Sequence, residues 1–161
     1  MAMPVYLWFY DDSGKLIKGS VDMAEREHSI EVMALRHMVE IPTDENTGQI
    51  TALRRHQSVS FDKEIDSSSP YLYKALTTGK NLKSAEFKFY RINETGQEEH
   101  YYSVLLEKVK VESIISAMYD IKGSYGEHKN YLEFIDLNYE KITWHYVDGN
   151  IVHSDSWSVC A

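Results

Sequence analysis

Apolar residues recur at every second position through most of this chain, and a spacing of two places them on one face of a strand rather than on a helical stripe. Val59 and Phe61 alternate with Ser58, Ser60 and Asp62, and Val109 and Val111 alternate with Lys108, Lys110 and Glu112. Ile142, Trp144 and Tyr146 likewise share a face. Strands of this kind bury one side and wet the other. The expected fold is therefore mainly β, with 161 residues, enough for one domain with a sizeable core.

Turn chemistry divides the strands. Asp11-Asp12-Ser13-Gly14 separates two apolar runs as a hairpin turn, Asn93-Glu94-Thr95-Gly96 marks a second, and Asp148-Gly149-Asn150 a third. The run from His28 to Ile41 reads as one long strand, with Ile30 and Val32 on one face and Met33 and Leu35 on the other, a change of face that predicts a bulge. Pro42 to Arg55 is polar and carries Asn-Thr-Gly, so it is expected to be an exposed loop longer than a hairpin needs. A second polar loop, "IKGSYGEHKN", precedes the last strands.

A single short helix is expected at about residues 68–78. Leu72, Ala75 and Leu76 fall at helical spacing, and Gly79 stands where a left-handed C-terminal cap belongs. Asp66, Ser67, Ser68 or Ser69 can accept from the first free amides, and Pro70 suits the first turn because its missing N–H would be unpaired there. The same serines, with His56 and an aspartate, invite a hydrolase triad. The Gly-x-Ser-x-Gly elbow that would place such a nucleophile is absent, so the capping reading is preferred.

Other chemistry finds little support. A net charge of −8 opposes broad binding to nucleic acid or anionic lipid. The seven histidines lack metal-ligand spacing, so no metal or other cofactor is expected. Cys160 is the only cysteine and cannot form an internal disulfide. The opening apolar run has no cationic leading segment and ends at Asp11 and Asp12, so no cleaved leader is expected. Twelve tyrosines and three tryptophans are more amphipathic aromatic surface than one small core needs, which points toward interfaces.

The runs "RRHQSVSFDKEIDSSSPYLYKAL", "TTGK", "YYSVLLEKVKVESI" and "LNYEKITWHYVDGN" resemble the haemolysin-coregulated proteins (Hcp) of type VI secretion, in order and across almost the whole chain. Lys63-Glu64-x-Asp66-x-Ser68-Ser69-Pro70 is the most specific part. The resemblance implies a barrel of two packed antiparallel sheets with the helix at its flank. It also implies six-fold rings that stack into a tube inside a contractile sheath, behind a spike, with small effector proteins carried in the lumen. Catalysis is not part of that role. The loop from Pro42 to Arg55 then corresponds to a protruding loop that contacts the adjacent subunit or ring, with Asp44, Glu45, Arg54 and Arg55 as candidate contacts.

Residues 1–161 are accordingly expected to be one tube domain without a toxin extension, since about a dozen residues follow the Asp148-Gly149 turn. The protein would be assembled in the cytoplasm and then secreted through the apparatus. The alternative is a β-barrel that encloses a small ligand.

Overall fold

The computed structural model describes residues 2–157; Cys160 lies outside them. Twelve strands and one helix follow the chain in the order β1 (Val5–Tyr10), β2 (Leu16–Ile17), β3 (Ile30–Val32), β4 (Ala34–Arg36), β5 (Val39–Glu40), β6 (Arg55–His56), β7 (Val59–Glu64), α1 (Ser69–Thr78), β8 (Leu82–Ile92), β9 (Glu98–Ala117), β10 (Leu132–Asn138), β11 (Lys141–Tyr146) and β12 (Ile151–Ser156). All pairings between them are antiparallel.

The long strand β9 belongs to two sheets. Its first part pairs with β8 and β11, and its second part, from Lys110 onward, pairs with β10. Lys108, at φ 51°, sits where the strand passes from one sheet to the other. The path β1-β8-β9-β10-β7-β4 then wraps the core. The segment 30–36 completes the circuit, because β3 bonds to β1 while β4 bonds to β7. Met33, between them, donates its amide to the Asp62 carbonyl at 2.9 Å. The expected single strand from His28 to Ile41 is thus three short strands, and the change of face at Met33 is a handover between sheets.

Inward residues of both sheets fill the interior. The Phe61 ring lies 6.3 Å from that of Phe9 and 5.6 Å from that of Phe87, centroid to centroid, and Leu7, Ile30, Val109, Leu137 and Ile142 close around them. These buried side chains meet in one core cluster between the sheets. Helix α1 covers the core with Leu72 and Ala75. Gly79 ends it at φ 68°, its N–H reaching the Leu76 carbonyl.

The helix start differs from the expected cap. Ser68 occupies the N-cap position, yet its side chain makes no capping bond and its hydroxyl donates instead to Asp66. Asp66 Oδ1 accepts from the Ser68 amide at 2.9 Å, and Ser67 donates to the Lys18 carbonyl at 2.7 Å. Ser69 is turned inward. Its hydroxyl donates to Glu133 Oε1 at 2.6 Å and accepts from Lys63 Nζ at 3.1 Å and from the Asp66 amide at 3.1 Å. Lys63 in turn lies 3.0 Å from Asp66 Oδ1 and 2.8 Å from Glu133 Oε1. A buried ionic network therefore joins β7, β10 and the helix start.

Candidate interaction surface

The segment between β5 and β6 is a long, exposed β-ribbon. Its base pairs Val39 with His56 and Glu40 with Arg55, and a bridge between Thr43 and Ile50 continues the pairing outward. Asp44 forms the turn. Its amide donates to the Gln49 carbonyl at 2.7 Å, its carbonyl accepts from Gly48, and its Oδ1 accepts from the amides of Asn46 and Thr47. These donors, with the Thr47 hydroxyl, hold the Asp44 carboxyl below the usual carboxylate range. Gly48 supplies the positive φ, 71°, that the turn requires. Glu45 is exposed beside it, and Ile50 and Leu53 expose apolar side chains on the same ribbon.

The two arginines at the ribbon's base point to different partners. Arg55 pairs with Glu40 across the β5–β6 ladder, at the surface. Arg54 reaches the last strand: its Nε and Nη2 donate to Asp155 Oδ2 and Oδ1 at 2.5 and 2.9 Å, and Nη2 also donates to the Ser156 carbonyl at 3.0 Å. This fork, with the His56 imidazole, keeps the Asp155 carboxyl far below its ordinary range.

Behind the fork lies a relay centred on the buried His56 and Tyr139. His56 Nε2 is 2.7 Å from Asp155 Oδ2, and His56 Nδ1 is 2.8 Å from the Tyr139 hydroxyl. The same hydroxyl is 2.7 Å from His37 Nε2. Trp157 stacks on His56 with ring centroids 5.7 Å apart. Burial raises the Tyr139 hydroxyl well above the ordinary phenol range, and burial together with the neighbouring His56 lowers His37.

Of the suggested triad, His56 does meet an aspartate, Asp155, but none of the three serines joins them. Both ring nitrogens of His56 face Tyr139 and Asp155, while Ser67, Ser68 and Ser69 are engaged around Lys18, Asp66 and Glu133. Among the described residues there is no group of three or more His, Cys, Asp or Glu side chains placed to hold a metal, and no helix long and apolar enough to cross a membrane. The chain bonds Arg54, Arg55 and Asp44 internally, and leaves Glu45 at the exposed turn. Sequence reasoning missed Asp155, Tyr139 and His37, which are distant in the chain from His56 and carry no motif. For Lys63 a signal existed: it continues the inward phase of Val59 and Phe61.

Residues 6–146 match the family described as type VI secretion system effector, Hcp. The chain belongs to that family. Among its Hcp relatives, the major exported protein of Pseudomonas aeruginosa is 34% identical over 139 residues, which span 86% of this chain and 81% of that protein. A tryptophan double mutant of Hcp1 from the E. coli EAEC 042 pathovar is 57% identical in sequence, with a TM-score of 0.88 over 97% of this chain and 99% of that one. The secreted protein Hcp3 of Pseudomonas aeruginosa superposes with a TM-score of 0.78 at 28% identity, over 98% of this chain and all of its own, 100%. The family suggested by the resemblance is the family found, and the two sheets with one flanking helix are its fold. The chain is thus an Hcp-family protein of type VI secretion.

Proposed function

We propose that this Hcp chain is a structural subunit of the type VI inner tube, one tube domain per subunit, that assembles as hexameric rings. The observation that carries the reading is β12. Among the described residues it pairs with β11 alone, and Ile151 and Val152 expose 66% and 52% of their surface along it. An exposed apolar edge strand is a template for another chain, and a ring closed by identical contacts removes every such edge at once. The ribbon from 42 to 54, with Ile50 and Leu53 exposed, is the second surface that stacking of rings requires. Asp44, Glu45, Arg54 and Arg55 act there, the arginines by holding the ribbon's base and the acids at its turn.

The rings stack in the sheath, are expelled behind the spike when the sheath contracts, and carry small effectors in the lumen. Assembly takes place in the cytoplasm, and export uses the apparatus. The role is structural rather than enzymatic: His56 faces Tyr139 and Asp155 while Ser69 faces Glu133, so the two are not joined as base and nucleophile. Negative-stain microscopy of the purified protein tests the reading. Rings of six with a central channel are expected, and Ile151→Lys with Val152→Glu is expected to disperse them. Solitary particles of the unaltered chain would overturn it.

A further inference from the structure

The relay behind the ribbon has a proton inventory that its geometry determines. Asp155, clasped by Arg54, is ionised and can only accept, so His56 must present Nε2–H to it. A neutral His56 then has a lone pair on Nδ1 and takes the proton of the Tyr139 hydroxyl. The Tyr139 oxygen is left as an acceptor for His37 Nε2–H. Every donor then has an acceptor.

One added proton can be absorbed without moving a heavy atom. If His56 gains Nδ1–H, it donates to Tyr139, whose own proton turns to the lone pair of His37 Nε2 in its other tautomer. A second proton cannot be absorbed. Both imidazolium rings would then fill the two lone pairs of the Tyr139 oxygen, leaving the Tyr139 proton without an acceptor and two cations facing each other across it.

We infer that His37, Tyr139, His56, Asp155 and Arg54 form a proton-counting latch, which holds the ribbon's base and β12 together with no more than one proton on its two imidazoles and opens on the second. The charged groups around it set the direction. Asp155 and Arg54 face His56 as a compensated pair. His37 meets the Gln57 carbonyl, which favours its proton, and His56, which opposes it. It also lines a cleft with Arg36 and Asp136, and Asp136 is occupied by the hydroxyls of Ser60 and Ser113. With His56 opposing the proton and Asp136 already occupied, His37 is the ring that leaves. Because His37 lies just before β5, which pairs with β6, its departure from Tyr139 frees the entry of the ribbon. The consequence for ring stacking rests on the function proposed above; the latch itself does not.

Hydrogen exchange of the whole chain, corrected for intrinsic rates, tests it between about pH 7.5 and 4.5. Opening that takes up one proton grows at most about tenfold per pH unit below the ordinary imidazole range. Peptides covering 38–57 and 139–157 are expected to lose protection at about that slope, while β8 does not. His37→Gln keeps a donor that cannot be charged, and is expected to remove the slope while preserving protection at pH 7.5. Tyr139→Phe keeps the ring and removes the shared oxygen, and is expected to lower protection already at pH 7.5. A wild-type profile without slope, an equal slope in His37→Gln, or unaltered protection in Tyr139→Phe overturns the latch. Oligomer mass, read separately on the same samples, reports on assembly alone.

Discussion

Lys63 Nζ lies 2.8 Å from Glu133 Oε1, and both side chains are withdrawn from solvent, at 0% and 1% exposure. The pair joins β7 to β10 beneath the start of α1, with Ser69 and Asp66 completing its hydrogen bonds. Two opposite charges in a low-dielectric interior hold each other strongly but are costly to bury. The penalty is therefore largest when one is left alone.

Lys63→Met and Glu133→Gln should each cost about 3–5 kcal/mol, because each strands the other charge or its hydrogen bonds. The double variant Lys63→Met with Glu133→Gln should be less destabilised than the sum of the two. Denaturant unfolding of all variants checks this. Strict additivity would show that the two side chains do not act as a pair.

Among the three serines, Ser69→Ala should be the damaging change, at about 1–3 kcal/mol, since it leaves Glu133 and the Asp66 amide short of a buried partner. Ser67→Ala removes one exposed bond to the Lys18 carbonyl and should lie within about 0.5 kcal/mol of the parent. Thermal unfolding gives the order. Equal losses at both positions would contradict the assignment of Ser69 to the network.

Arg54→Ala should loosen the link between the ribbon and β12 and cost about 2 kcal/mol, the range for hydrogen bonds to a charged group. Arg55→Ala, whose partner Glu40 is at the surface, should leave stability nearly unchanged. Chemical denaturation compares them, and a reversal of the order would place the anchor at the wrong arginine.

His100 gives a pH prediction. Its Nε2 is buried without a hydrogen-bond partner, and burial, with Lys88 nearby, lowers its proton affinity below the ordinary imidazole value. The unfolded chain therefore binds more protons, so this residue's contribution is present above the ordinary imidazole value and declines as pH falls through it. His100→Leu should gain in melting temperature relative to the parent on going from about pH 7.5 to 5.5. An unchanged difference between the two proteins across that range would exclude the effect.

Much of this architecture is legible in the residues themselves, and the parts that are not have a common cause. Period-two alternation exposes the strands, and Leu72, Ala75 and Gly79 mark the helix, because these signals depend on a residue's own neighbours. The break at Met33 is different. It arises because β3 and β4 have partners in different sheets, β1 and β7, which no local pattern specifies. The ribbon shows in the sequence as a polar stretch, but its attachment through Arg54 to Asp155 spans a separation of 101 residues. The serines look like caps from spacing alone; Ser69 turns inward because Lys63 and Glu133, both buried, need its hydroxyl.

The central claim, that this molecule's surface is built for joining identical copies, is tested most directly by native mass spectrometry or light scattering of the purified chain at neutral pH. A discrete species of six copies is predicted, giving way to smaller species when Ile151 and Val152 on β12 are replaced by charged residues. A chain that remains monomeric at high concentration in mild salt would contradict it.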